Sequence, residues 1–299
     1  MRFAFIKEHR YRWPIDVMCR VLAVSRSGYF AWRGRSPGPR KLRRDKLTTK
    51  IRAVYDQHRC VYGSPRVHAT LVAQGEKVCV NTVARVMRRE QIRPKTKRRF
   101  VPRTTDSRHD QPVAPNLLDR RFHADKPNRK WVADITYVPT GEGWLYVAAV
   151  LDLCSRRIVG WSMTDHMQAE LVNDALPMAL DRRQPQAIDS NPSGGEGPSG
   201  ELLHHSDRGV QYASDDHQHL LARHGITVSM SRKGDCYDNA AMESFWATLK
   251  TELTHHQHYD NRDQARTSIF EYIEVFYNRK RIHSTLGYKS PEAFEASLN

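Results

Sequence analysis

Apolar residues at Ile15, Val17, Met18, Val21 and Leu22, followed by SRSGYFAWR over residues 25–33, predict a short helix, a turn and a second helix anchored by aromatic rings. The Pro/Gly-rich SPGPR at residues 36–40 interrupts this pattern and marks a boundary, leaving 1–36 as an N-terminal helical segment. Residues 42–89 then carry helical spacing in three stretches. Leu47, Ile51, Val54 and Tyr55 line the first, and Val67, Leu71 and Val72 line the second, which starts near Pro65 and stops at Gly75. Val83, Val86 and Met87 face inward in the third, with Asn81 as its expected N-cap. Residues 101–124 lose periodicity, are broken by Pro102, Pro112 and Pro115, and read as a linker.

Beyond the linker the period changes from helix to strand. Residues 131–140, 145–153 and 157–163 are β-branched and aromatic runs joined by tight turns, the simplest arrangement being three successive antiparallel strands. A helix over 169–183 follows despite Pro177, then a Pro/Gly/Ser-rich surface loop over 184–200. Strand 202–206, helix 215–224, strand 227–230 and helix 240–254 complete the order. Phe270, Tyr272, Phe276 and Tyr277 fit packing of a later helix against this core. The predicted class is α/β: a mixed five-stranded sheet with helices on both faces, resembling the ribonuclease-H-like fold, behind an all-α helix-turn-helix-like region. The corresponding division is 1–36, 41–100, a linker 101–124, a core 125–289 and a C-terminal tail 290–299.

Charge divides the chain at the same place. Residues 1–124 hold 30 Lys+Arg against 9 Asp+Glu, whereas residues 125–299 hold 18 against 24, within a whole of 299 residues and net charge +15. So basic a first half attracts polyanions, since releasing counterions from phosphates drives non-specific nucleic-acid binding. Arg85, Arg88 and Arg89 face outward on the third helix, and Lys95, Lys97, Arg98 and Arg99 extend that surface through PKTKRRF at 94–100. Five scattered cysteines make neither a disulfide framework nor a zinc knuckle. With no apolar run of membrane-spanning length and no signal-peptide pattern, a cytoplasmic, nucleoid-associated protein without a membrane partner is expected.

The acidic half carries the candidate chemistry. Asp134 sits mid-strand among Val132, Ala133 and Ile135, an expensive place for a carboxylate unless it is paired or bound to metal. Asp207 falls just past the fourth strand in HHSDRGVQY, beside Gly209. Glu243 lies on the helix opened by YDNAAMESFWATLK, with Asn239 four residues before and Lys250 seven after on the same predicted face. Three carboxylates converging from separate elements make an oxygen-rich site suited to Mg2+ or Mn2+, and two such ions could serve an in-line phosphoryl transfer. His204 and His205 flank the site as structural or DNA-contacting groups, Asp152 reads as a hydrogen-bonding residue, and Arg279, Lys280, Arg281 and His283 are further DNA candidates.

HHSDRGVQYAS, SRKGDCYDNAAMESFWATLKTEL and YNRKRIHSTLGYKSPEAF, with 35 residues between Asp207 and Glu243, resemble the second-reading-frame transposases of the IS-three insertion-sequence family. That family's catalytic core is similar to retroviral integrase, and the resemblance runs from SRSGYFAWR to the SPEAF tail. It implies that Asp134, Asp207 and Glu243 are catalytic metal ligands. It also implies that Lys250 is the basic residue approaching the element end; Asn239, on the same predicted face, is a further DNA-binding candidate. The implied activity is metal-dependent cleavage and strand transfer at terminal inverted repeats and target DNA. The implied partners are further copies of the chain and an upstream-frame protein, joined by frameshifting. The residues alone also fit a nuclease of the same fold that does not join strands, or a DNA-binding repressor of the element.

Overall fold

A computed structural model describes residues 1–36, 38–96, 112–185, 202–232 and 235–298. The chain forms two compact units, Met1–Val54 and Tyr55–Asn299. The first contains α1 (Arg2–His9), α2 (Ile15–Val21), α3 (Arg26–Gly34) and most of α4 (Pro39–Gln57). Ile6, Met18, Cys19 and Tyr29 make its small core, and the Ser25 hydroxyl caps α3 by accepting from the Gly28 N–H at 3.0 Å. α1 is an addition to the predicted pattern: only Ile6 is buried on it, so it shows no apolar stripe.

The second unit begins with α5 (Ser64–Ala73) and α6 (Val80–Arg89). Pro65 occupies the first turn of α5 as expected, but α6 starts two residues earlier than an Asn81 N-cap predicted, with Cys79 as its N-cap. Val83, Val86 and Met87 are its buried residues.

The sheet has the order β3-β2-β1-β4-β5. β1 (Lys130–Thr140), β2 (Gly143–Asp152) and β3 (Ile158–Thr164) form the antiparallel meander. β4 (Leu203–Ser206) and β5 (Thr227–Met230) then add in parallel on the β1 edge. The alternation along β1 sends Trp131 and Ala133 into a core shared with Ala148, Val150, Leu171, Leu176 and Leu221. Successive residues of a strand point to opposite faces, so Val132 and Asp134 lie on the other face. α7 (Ala169–Arg183), α8 (Val210–Ala213) and α9 (Asp215–Arg223) cover the first face, while α10 (Ala240–Glu252) and α11 (Arg262–Glu271) pack against β1 and β2. Gly160 lets α7 lie directly on β3, because a Cβ there would stand 2.2 Å from the Ala175 carbonyl oxygen. Pro177 sits inside α7 without ending it.

Two expectations change here. The second half of the predicted linker is fixed structure: the Leu117 and Leu118 N–H groups donate to Ser229 Oγ at 2.9 and 3.1 Å, and Leu118 is buried. The expected tail contains α12 (Pro291–Ala296), capped by Ser290 and tied down by Glu295, which pairs with Arg157 at 2.8 Å and with Arg183. A wide π-helical turn over Tyr272–Tyr277 buries Tyr272, Phe276 and Tyr277, whereas Phe270 stays exposed with its ring edge against Trp161. Most of the 184–200 loop and the first part of the linker lie outside the described residues.

Candidate active site

Strand register brings the first two carboxylates together. β1 and β4 run parallel with Trp131 opposite His204 and Val132 opposite His205, so two further steps along the same register set Asp207 beside Asp134. Neighbouring strands lie about 4.8 Å apart, and residues at matching positions of a parallel pair point to the same face. Asp207 follows the last residue of β4, and its Oδ1 accepts the Gly209 N–H at 3.0 Å; a Cβ on Gly209 would sit 3.0 Å from that oxygen, which glycine avoids.

Glu243 occupies the first turn of α10, exposed at its start, and α10 packs on β1. Asn239 ends a 3-10 turn, Cys236–Asn239, immediately before α10, and its side-chain amide donates to the Ala133 carbonyl at 3.0 Å. That bond ties the start of the helix to the strand residue next to Asp134. Asn239 therefore does not share the outward face of Glu243, as helical spacing predicted. It is 5% exposed and turned inward, because the 3-10 turn changes the angular step just before the helix begins.

Electrostatics shows that the three carboxylates share one neighbourhood. Burial pushes the Asp134 carboxyl well above its ordinary value, the negative charge of Asp207 pushes it further and Glu243 adds to the same effect, while the Ile135 N–H, donating at 2.8 Å, and the Trp246 indole oppose it. Among the described residues no three His, Cys, Asp or Glu side chains are closed around a single ligand-sized point. Lys250 stands half-buried on α10, its Nζ 5.4 Å from the Tyr137 ring centre on β1; burial lowers its pKa and Asp134 opposes the shift.

The histidines are structural. His204 and His205 are buried in β4, and desolvation holds both below their ordinary values, His205 down to about 4. His205 bridges Ser229 Oγ at 2.8 Å and Ser231 Oγ at 3.1 Å, so neither ring is presented to DNA. Asp152 has the hydrogen-bonding role expected of it, accepting the Asn128 and Cys154 N–H groups at 2.7 and 2.8 Å.

The basic candidates separate by exposure. Arg85 and Arg88 are exposed on α6, and Arg89 is exposed but paired with Glu90 at 2.8 Å. Lys95 is turned aside, its ammonium donating to the Glu252 carbonyl at 2.9 Å. Lys97, Arg98 and Arg99 lie outside the described residues. Arg279 and Lys280 are exposed, but Arg281 is 4% exposed and grips Glu252 at 2.7 and 2.8 Å, with His283 against it. Sequence reasoning missed Trp246, a buried residue one turn from Glu243 whose indole N–H acts on the Asp134 carboxyl. It also missed Asp238, a fully buried carboxylate directly before Asn239.

Two families described as integrase core domains match residues 124–236 and 224–291, and an HTH-like domain family matches residues 42–100. The chain is 44% identical to the transposase InsF of insertion sequence IS3A from Escherichia coli, over 99% of this chain and 98% of that one. It is 46% identical to a 31 kDa protein of insertion element IS600 from Shigella sonnei, over 93% and 97%. Among solved structures, the HTLV-2 integrase catalytic core domain in complex with magnesium matches at 13% identity and a TM-score of 0.39, over 57% of this chain and 99% of that one.

Proposed function

The chain belongs to the insertion-sequence transposases of the IS3 kind, and from that premise we propose that Asp134, Asp207 and Glu243 together hold the divalent metal with which it cuts and joins DNA. It is a DDE-type DNA transposase with an HTH-like region ahead of an integrase core. The observation that carries the assignment is the β1–β4 register, whose last pair is Val132 with His205 and which, continued two residues further, sets Asp207 beside Asp134.

The donor set fits the ion: all-oxygen, anionic, and containing a carboxyl whose charge is penalised first by burial and then by Asp207 and Glu243. Held by these residues, Mg2+ or Mn2+, as a pair of ions, would supply charge neutralisation at the phosphate and activation of the attacking oxygen. Asp134 is held by a rigid central strand and the Ile135 N–H, and Asp207 by the Gly209 N–H. Asn239 fixes the start of α10 through Ala133, which makes it a positioning residue rather than a DNA contact. Lys250 presents its ammonium beside the same strand, where it would hold a phosphate of the reacting end. No side-chain nucleophile is required.

Residues 41–100 bind the terminal repeats, with Arg85 and Arg88 on phosphates or base edges and Lys97, Arg98 and Arg99 adding charge; residues 125–289 cut and join. Two ends must be handled together, so the active form is an oligomer on DNA, working with an upstream-frame protein or fused to it. The test is cleavage and joining of labelled element-end DNA with Mg2+, comparing Asp207→Asn with the parent. Joined products lost in the variant support the assignment. Equal activity of both proteins sinks it, cleavage without joining marks a nuclease, and Mg2+-independent binding without cleavage marks a repressor.

A further inference from the structure

The segment that joins the DNA-binding region to the catalytic core is attached to the 3-10 turn that leads into α10, the helix that carries Glu243. Asp238 is the point of attachment, buried in the 3-10 turn directly before α10. Its Oδ2 accepts the Asn116 amide at 2.8 Å and the Arg232 N–H at 2.8 Å, and its Oδ1 accepts Arg120 Nε at 3.0 Å and Arg232 Nη2 at 2.8 Å. Arg232 Nε adds a further bond to Oδ2 at 3.0 Å, and Arg120 also pairs with Asp235 at the head of the same turn. The segment itself is anchored by Leu117 and Leu118 on Ser229 and by the Met230 N–H on the Pro115 carbonyl at 3.3 Å.

The bonds run in an unbroken series. Asn116 and Arg120 hold Asp238; Asp238 is covalently next to Asn239; Asn239 holds the Ala133 carbonyl beside Asp134; and Glu243 stands one turn further along α10. The guanidinium of Arg232 and the donors around it keep Asp238 ionised, well below the usual carboxylate range.

We infer that Asn116 and Arg120 are positioning residues for the active site: by clamping Asp238 they set where α10 begins and therefore where Glu243 stands relative to Asp134 and Asp207. The inference rests on the three-carboxylate reading above. Its chemical content is preorganisation, since a ligand carried on a helix start is only as well placed as the turn that precedes it. Arg232 alone provides three bonds to Asp238, so removing the segment's two donors leaves the buried charge paired and the fold intact.

The test uses the full chain bound to duplex carrying the element's terminal sequence. Cleavage after adding Mg2+ is timed for the parent, the Asn116→Ala/Arg120→Ala double variant, Arg120→Ala and Arg120→Lys, together with DNA affinity and amide hydrogen exchange. The double variant is expected to cut about tenfold to a hundredfold more slowly, the range a sub-ångström to ångström misplacement produces. Its DNA affinity stays that of the parent, exchange rises over residues 235–243 but not in β2 or β3, and Arg120→Lys keeps more of the rate than Arg120→Ala. An unslowed double variant overturns the proposal. If the double variant loses protection across the whole sheet, the single variants decide, and equal rates for Arg120→Lys and Arg120→Ala overturn it. Asp207→Asn run alongside separates the two readings: equal cleavage by that variant overturns the carboxylate assignment, whereas its inactivity beside an unslowed double variant overturns only the role of Asn116 and Arg120.

Discussion

His217 is 1% exposed in α9, its ring 5.5 Å from both His204 and Tyr212, and burial lowers its pKa to about 4. Its Nδ1 lies 2.9 Å from Asn173 Oδ1. A histidine depressed from 6.5 to about 4 binds fewer protons folded than unfolded. The stability it supports is present above pH 6.5 and is lost as pH falls through that window, at about 1.4 kcal/mol per pH unit near its middle. His217→Phe, which keeps an aromatic ring against Tyr212, is expected to flatten the fall in unfolding free energy between pH 6.5 and 4; a slope identical to the parent's in denaturant titrations would refute the buried neutral ring. The residue scale is also where the sequence was most and least readable. Among the proposed metal ligands, Asp134 drew notice by standing among apolar strand residues, and Asp207 and Glu243 by their surroundings and spacing. Asn239 was read with the wrong face and Asp238 not at all, because their roles depend on a 3-10 turn, and a four-residue turn leaves no periodic trace.

At the level of elements, α10 is held at both ends, by Asn239 at its start and by Glu252 at its finish. Glu252 accepts from Arg281 and from the Tyr272 hydroxyl at 2.8 Å, with Arg66 of α5 3.8 Å away. Arg281 was readable in the sequence only as one of a run of basic residues, a pattern that solvated faces and buried pairs share. Its burial means that Arg281→Ala should destabilise the protein by about 3–5 kcal/mol, the usual result of leaving one partner of a buried pair behind. Chemical denaturation measures this directly, and a variant of parental stability with weakened DNA binding would restore the surface reading. The close seat of α7 on β3 gives a second element-level expectation. Gly160→Ala forces a Cβ to within 2.2 Å of a backbone carbonyl and 2.8 Å of Ala179, so the helix must shift, at a cost of about 1–3 kcal/mol or more. Strand and helix order were legible because period-2 and period-3.6 patterns are strong over runs this long. The docking of residues 112–124 was not, since side-chain donors on an irregular segment carry no period.

For the whole molecule, the decisive asymmetry is a basic first 124 residues carrying 30 Lys+Arg against 9 Asp+Glu, ahead of an acidic remainder of 18 against 24. Phosphate binding and metal-dependent chemistry favour opposite charge, so one chain serves both best by keeping them in different stretches. Arg85 and Arg88, exposed on α6, are the residues proposed for the first task, and they stand on an element apart from the three proposed metal ligands. Each contact of this kind releases about one counterion per phosphate neutralised, so replacing it lowers the slope of log affinity against log salt by about one. Arg85→Ala and Arg88→Ala should therefore each weaken binding to element-end DNA and flatten its salt dependence. Cleavage of DNA at saturating protein and Mg2+ should keep its rate, because the three carboxylates and Lys250 are untouched. Asp207→Asn should show the converse, binding with the parental salt slope and failing to cut. If the arginine variants instead lose cleavage at saturation while keeping the slope, the charge of the first half acts on the chemistry itself, and the division of labour between the two stretches is wrong.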